Sequence, residues 1–343
     1  MVNFCSDNAS GAAPQILRAL EAANSGAAMP YGEDDTTRRV AARLAEIFET
    51  EAAVFPVATG TAANALALSV MAPPYGAIYC HALAHIHVDE CGAPEFYTGG
   101  AKLIPLAGAH GKLDPATLKD EIKDAGVVHA VQPAALSLTQ ASESGTVYSP
   151  AEVGALAEVA RTHGLGLHMD GARFANALVS GNYSPAELTW KAGVDALSFG
   201  ATKNGALGAE AVILFKPELA RAFAYRRKRG GHLFSKMRFL SAQLDAYLGD
   251  DLWLRNARHA NALAARLAEG LAALPGASLC HPVEANEIFA RLPEAVIAGL
   301  LDEGFAFYRW GPEAEREVRL VVSFNTDPKD VDAFLAAARR LAR

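Results

Sequence analysis

Cysteine is scarce in this 343-residue chain, and the four that occur, Cys5, Cys80, Cys91 and Cys280, follow no CxxC or paired spacing. A disulfide framework and a cysteine metal knuckle are therefore excluded, and a reducing compartment is expected. Basic residues are outnumbered, 31 against 38 acidic, and the net charge of −7 is spread along the chain, which argues against a nucleic-acid partner. Low-complexity tracts and repeats of solenoid period are missing. The opening Met1-Val2-Asn3-Phe4-Cys5 has neither a basic n-region nor an apolar h-region, so a cytoplasmic location is expected. One long stretch, Ala52 to Cys80, lacks any ionised side chain. Pro56, Gly60, Asn64, Pro73 and Pro74 interrupt it, so it reads as a buried strand, a turn and a buried helix rather than a membrane span.

What is present is apolar material in alternation. With 51% hydrophobic residues the chain can build a sizeable core. From Pro30 to Phe215 amphipathic patterns alternate with short apolar runs, the signature of an α/β unit with a mostly parallel sheet. Helices are expected at Thr36–Glu49, Thr61–Met71, Pro115–Asp124 and Ala151–His163. Strands are expected at Ala52–Val57, Ala77–Cys80, Val127–Val131, Leu165–Asp170, Ala196–Phe199 and Val212–Phe215. Residues 217–274 read as helical almost throughout, and the composition changes after Pro275-Gly276. Beyond lie expected strands near 277–280, 287–292 and 316–323, with helices at Glu294–Glu303 and from Lys329, a compact α+β unit. The expected division is an N-terminal segment, 1–30, a large unit, 31–250, and a smaller unit, 251–343, that opens with a linking helix.

Two constellations carry chemistry. The first is Thr59-Gly60-Thr61, placed between an expected strand and an expected helix, where backbone N–H groups and hydroxyls suit a phosphate. Taken alone it also reads as an ordinary N-cap. The second pairs Asp170-Gly171-Ala172-Arg173 with Thr202-Lys203, both just after strands of the same sheet, where open α/β folds bind ligands. An aspartate there can hold a pyridinium nitrogen and a lysine can bond an aldehyde carbon, which is pyridoxal phosphate chemistry. Lys203 is also the only charge between Asp195 and Glu210. The cluster His81-xxx-His85-x-His87 with Asp89 has metal-ligand chemistry, but no single regular element presents all three imidazoles, and no metal is expected. The run Arg226-Arg227-Lys228-Arg229 reads either as a solvated helix face or as a phosphate or subunit contact.

Taken with Ser6-Asp7, Tyr31-Gly32-Glu33-Asp34, His85 with Glu90, and Val318-Arg319-Leu320-Val321, these motifs resemble the threonine aldolases of the β-eliminating lyase group over nearly the whole chain. The resemblance implies an aspartate-aminotransferase-like large domain of pyridoxal phosphate fold type I at 31–250 and the small α+β domain at 251–343. It implies pyridoxal 5′-phosphate as cofactor, held by Gly60, Thr61, His85, Asp170, Arg173, Lys203 and Arg238. Within it Lys203 is the Schiff-base lysine, Asp170 the partner of the pyridine nitrogen, and His85 the imidazole stacked on the ring. Ser6, Arg173 and Arg319 grip the substrate carboxylate, a task that suits guanidinium. Tyr31 and Arg238 reach the site of a neighbouring subunit in a homo-oligomer, a dimer of dimers. The implied reaction is retro-aldol cleavage of L-threonine, L-allo-threonine or a relative such as phenylserine to glycine and an aldehyde. Alternatives are β-elimination or side-chain lysis on the same cofactor, a non-catalytic binding protein on the same fold, and a metal-dependent aldolase built on the histidines. Many relatives place a second histidine near the substrate hydroxyl, and Gln140 is expected in its place, so His85, His87 or a water is left as the base. The family's opening Arg-Ser-Asp-Thr is Cys5-Ser6-Asp7-Asn8 here.

Overall fold

The computed structural model describes residues 2–343. Local signals start most of its helices. Pro14 opens α1 (Pro14–Ala23) in the first turn, where a missing N–H costs nothing. The Asp34 carboxylate caps α2 (Asp35–Ile47) by accepting from Thr37 N–H at 2.9 Å. After strand β1 (Ala53–Val57), Thr59 Oγ1 accepts from Ala62 N–H and starts α3 (Gly60–Met71). Every side chain of α3 from Ala62 to Ser69 is buried, which explains the long stretch without charge. Strand β2 (Gly76–His81) is buried throughout and leads through α4 (His85–Val88) and α5 (Ala93–Thr98) to β3 (Lys102–Leu106). Asp114 caps α6 (Pro115–Glu121), and β4 (Gln132–Thr139) follows. A capping box of Ser149 and Glu152 starts α7 (Pro150–Thr162). Then come β5 (Gly166–Gly171), α8 (Phe174–Gly181), β6 (Ala196–Gly200) and β7 (Glu210–Leu214).

The seven strands form one sheet in the order β1-β7-β6-β5-β4-β2-β3, and only β7 runs against the others. Six strands therefore deliver their C-terminal ends to one edge, and β7 delivers its first residue, Glu210, to that same edge opposite Gly200. The apolar core beneath includes a cluster of Phe48, Phe174 and Phe199, with Tyr247 and Trp253 packed edge-on against Phe199.

Residues 217–274 hold three helices, α9 (Ala220–Arg229), α10 (Arg238–Leu248) and α11 (Leu252–Ala272). They are separated at Gly230-Gly231 and at Asp250-Asp251, where Gly231 and both aspartates have positive φ. The remaining elements are β8 (Ser278–Leu279), β9 (Glu287–Arg291), α12 (Glu294–Asp302), β10 (Tyr308–Trp310), β11 (Glu317–Val321) and α13 (Pro328–Leu341). Their strands form an antiparallel sheet, β10-β11-β9-β8, over a second apolar core. The N-terminus belongs to that core. Phe4 donates to the Ala306 carbonyl, accepts from Val321 N–H and buries its ring against Phe334. Helix α11 spans both cores, with Trp253 and Ala257 in the first and Leu263, Leu267 and Leu271 in the second. No helix among the described residues is long and apolar enough to cross a membrane.

One expected strand is corrected. Residues 127–131 form turns, with Val128 94% exposed, and the strand begins at Gln132. Valine pairs favour strands, but the Ala-Ala-Leu-Ser-Leu run that follows fills the buried central position, so tertiary packing overrides propensity. The strands β3 and β10 and the helices α1, α4, α5 and α8 have no counterpart among the expected elements.

A polar row crosses the sheet below its edge. The His168 ring lies between Ser137 Oγ and Ser198 Oγ, at 2.9 Å on each side, joining β4, β5 and β6. Burial holds its pKa down to about 4. The unfolded chain takes up this proton near the ordinary histidine value of about 6.5, whereas the folded chain refuses it until about 4. Stability is therefore lost as pH falls through that window, by roughly 3 kcal/mol from this group alone. Denaturant unfolding at stepped pH should show a shallower acid dependence in His168→Gln than in the parent, and equal slopes would remove His168 as the cause.

Candidate active site

The sheet edge gathers side chains from distant parts of the chain. A pocket there is lined by Thr59, Gly60 and Thr61 after β1, His85 after β2, Asp170 at the end of β5, and Lys203 after β6. Asn64, Ser198 and Glu210 complete its polar wall. A second pocket shares Asn8, His85 and Lys203 with the first and continues past Ser6, Glu143, Arg173, Trp310 and Arg319 toward the small sheet.

The loop that carries Lys203 is fixed by a buried carboxylate. Glu210 Oε2 accepts from Ala201 N–H at 2.6 Å, and burial pushes this carboxyl up to about 7. Gly200 is required just before the loop, because a Cβ there would lie 2.5 to 2.8 Å from Ala172 backbone atoms. Asp170 has both oxygens engaged. Oδ1 accepts from Ala172 N–H at 3.0 Å and Oδ2 from the Asn64 amide at 2.8 Å. The same Asn64 nitrogen donates to Glu90 Oε1 at 2.8 Å, so one amide holds two carboxylates apart. Glu90 Oε1 also meets His85 Nδ1 at 2.8 Å. That hydrogen bond raises the His85 pKa against the opposing effect of burial, while burial raises the carboxyl of Glu90.

Arginine and carboxylate partners meet deeper in the second pocket. Arg173, with its side chain 3% exposed, donates from Nε to Asp7 Oδ2 at 2.8 Å and from Nη2 to Asp7 Oδ1 at 3.1 Å. Its Nη1 lies 3.0 Å from Glu287 Oε2. Arg319 Nη2 donates to the other oxygen of Glu287 at 2.6 Å, and the guanidinium sits over the Trp310 ring. Ser6 lines the pocket mouth, and its Oγ accepts from Asn8 N–H. Both guanidiniums expected at a substrate carboxylate are therefore present, and both are already paired within the chain.

Some expected residues stay apart. Tyr31 is exposed at positive φ beneath Lys228, and Arg238 donates to the Gly26 carbonyl; neither lines the pocket of its own chain. The three histidines diverge. His81 is buried, its Nε2 meeting the Gly108 carbonyl and its Nδ1 accepting from Leu83 N–H, whereas His87 is exposed. Among the described residues no group of three or more His, Cys, Asp or Glu is arranged to hold a metal ion. Gln140 is corrected as a pocket residue: its amide exchanges two hydrogen bonds with the Tyr148 backbone, at 2.7 and 3.0 Å, and it is fully buried. Sequence reasoning did not single out Asn64, Glu143, Glu210 or Glu287. A signal for two of them exists, since Glu143 is the only charge between Asp124 and Glu152, and Glu210 and Lys203 are the only charges between Asp195 and Lys216.

The donor set suits pyridoxal phosphate, the cofactor implied by the resemblance. A Cβ at Gly60 would meet nothing within 4 Å, leaving an open cradle at the start of α3, where backbone N–H groups lack helical acceptors. Lys203 supplies the one amine of the pocket and Asp170 a carboxylate of fixed orientation. Asn64 Oδ1 and Glu90 Oε2 are buried without a hydrogen-bond partner among the described residues. Because Glu90 sustains the proton on His85, Glu90→Gln should lower the pH at which the His85 ring titrates. Nuclear magnetic resonance of ring-labelled histidine would read the change, and an unmoved titration would show that Glu90 does not govern this imidazole.

The model of the β-eliminating lyase family matches residues 3–295. A low-specificity L-threonine aldolase of Pseudomonas aeruginosa is 46% identical over 324 residues, covering 94% of this chain and 93% of that protein. Another of the same description from a Pseudomonas species is 45% identical, covering 89% and 88%. Among solved structures, a Leishmania major threonine aldolase superposes with a TM-score of 0.94 at 29% identity, covering both chains completely. The strand order, the lysine and aspartate at the ends of β6 and β5, and these matches agree, and the chain belongs to the β-eliminating lyase family, among its threonine aldolases.

Proposed function

We propose that this protein cleaves L-threonine, L-allo-threonine or related β-hydroxy-α-amino acids such as phenylserine to glycine and an aldehyde, with pyridoxal 5′-phosphate as its cofactor. The observation that carries this reading is the convergence of Lys203, Asp170 and His85 on one pocket in a member of this family. When bound, the cofactor supplies a sink for the electron pair released at the substrate α-carbon. Lys203 Nζ would hold its aldehyde carbon, and the start of α3, at Gly60 and Thr61, would hold its phosphate. Asp170, with both oxygens oriented, would be the partner of its pyridine nitrogen. His85 lines the same pocket and, with its proton sustained by Glu90 at Nδ1, offers Nε2 as a donor. Arg173 and Arg319, with Ser6, receive the substrate carboxylate at the junction of the two sheets, and Glu287 is the partner they share.

The same reading takes residues 31–250 as the cofactor-holding domain and 251–343 as the small domain, supported by the two separate apolar cores. It takes the protein as a dimer of dimers in which Tyr31 and Arg238 complete a neighbour's site, supported by their position outside their own pocket. Four free thiols support the cytoplasm as its location.

The holoenzyme should show a visible absorbance band that borohydride fixes onto Lys203, and Lys203→Ala should lose both the fixation and the reaction. Product analysis with L-threonine and L-allo-threonine should return glycine and acetaldehyde. Ammonia and a keto acid instead would establish elimination, and a colourless, inert protein would leave only a binding role.

A further inference from the structure

The turn after β4 presents a carboxylate that nothing else in the site explains. Between Gln140 and Tyr148 the chain is pinned on every side. Gln140 is stapled to Tyr148, Ser142 Oγ meets Thr146 Oγ1 at 2.7 Å, and Thr146 Oγ1 donates to the His110 carbonyl at 2.7 Å. Gly145 accepts from Ala285 N–H and, at φ +74°, packs so closely on Glu287 that a Cβ would lie 2.8 Å from the Glu287 carbonyl oxygen. From this rigid turn Glu143 enters the pocket lined by Ser6, His85, Arg173 and Lys203. The Glu143 carboxylate has no hydrogen-bond or ion-pair partner among the described residues.

The other candidate bases on this wall are engaged, apart from Asp89 at its exposed rim. Asp170 is held by Asn64 and Ala172, Glu210 by Ala201, and Glu90 by Asn64 and His85. Asp7 and Glu287 neutralise Arg173 and Arg319. Glu317 lies against Arg291, and Asp89 is exposed at the rim. His85 is biased toward its charged form and so toward donating. Gln140 cannot accept a proton from a hydroxyl and does not reach the pocket.

We infer that Glu143 is the base that takes the β-hydroxyl proton when the Cα–Cβ bond breaks. This rests on the reading of the chain as a β-hydroxy amino acid aldolase. The carboxylate takes the hydroxyl proton, the O–H pair becomes the second bond of the departing aldehyde, and the pair from the Cα–Cβ bond stays with the α-carbon. Glu143 then returns its proton to water, or in the reverse direction to the aldehyde oxygen, so no oxidant or reductant is needed. Burial raises this carboxyl above the ordinary glutamate value, and Glu287 and Asp170 add to that effect while Lys203 and Arg173 oppose it. Its field in turn favours the charged form of His85. Cleavage should therefore weaken as pH falls and Glu143 protonates.

The test compares the holoenzyme with Glu143→Gln and Glu143→Asp. Three quantities are read: glycine release from L-threonine and L-allo-threonine across pH, glycine affinity from the shift of the cofactor absorbance, and exchange of the glycine α-hydrogen in deuterium oxide. Exchange needs Lys203 and the cofactor but no β-hydroxyl base. Glu143→Gln should lose about 10²- to 10⁴-fold in cleavage together with the acid limb of its profile. Glycine affinity and exchange should stay within about threefold of the parent, and Glu143→Asp should recover part of the cleavage. Parental cleavage in Glu143→Gln would overturn the inference, as would a joint loss of cleavage, exchange and glycine affinity, which would mark a structural role. A parent that binds the cofactor but releases no glycine from either substrate would overturn the proposed function and this inference with it.

Discussion

A buried arginine ties the three parts of this protein together. Arg173 leaves the end of the central strand β5, Asp7 comes from the N-terminal segment, and Glu287 opens the first long strand of the small sheet. Moving such charges out of water costs several kcal/mol for each ion, and only their mutual pairing offsets it. Removing one partner would leave an uncompensated charge at a cost of about 3–5 kcal/mol. The arrangement is therefore weak evidence for stability and good evidence for register. It sets where the small sheet stands against the large one, and with it the position of Arg319, which shares Glu287. The second pocket exists because these two sheets meet there.

The large sheet imposes a different constraint. Parallel strands need crossover connections, so consecutive strand ends fall on one edge and each is followed by a loop whose residues are free of ladder hydrogen bonds. Here β5 itself presents Asp170 at its end, and the short segments just after β2, β4 and β6 deliver His85, Glu143 and Lys203. The reversal of β7 adds Glu210 to the same edge, under the lysine loop. A polar row of Ser137, His168 and Ser198 stiffens the strands immediately below. The site is thus set on hydrogen-bonded strand ends rather than on mobile loops, which suits groups that must be held in fixed geometry.

The fold was legible where apolar runs and caps coincide. The strands at 53–57, 76–81, 166–171 and 196–200 are short apolar runs, with 166–171 closing on Asp170, and side-chain caps at Thr59 and Ser149 start α3 and α7. The run at 127–131 misled because valine propensity is a surface preference that the buried 135–139 segment outcompeted. Lys203 and Asp170 were legible because a lone charge after an apolar strand has little other use. Asn64 was not, because its role depends on Glu90 and Asp170, 26 and 106 residues away, converging on one amide. Glu143 was hidden by a shift of three residues. The resemblance put Gln140 in the place of the family histidine, whereas the tight Ser142–Thr146 turn follows a buried Gln140 and Glu143 lines the pocket instead.

That replacement bears on which reaction the site favours. Elimination at the β-position needs an acid beside the departing group, because hydroxide leaves poorly without a proton. Cleavage of the Cα–Cβ bond needs the opposite, a base that removes the hydroxyl proton. Every other carboxylate deep in the pocket is fixed by an amide, a backbone N–H, a histidine or a guanidinium, and so serves to orient or neutralise. The unpaired one is charged when its proton is off and has no partner to weaken it as an acceptor. A site whose one uncommitted carboxylate away from the exposed rim, among the described residues, is Glu143, in a pocket shared with Lys203, is therefore set up to take a proton from a β-hydroxyl rather than to give one, and the same cofactor chemistry is directed toward glycine and an aldehyde.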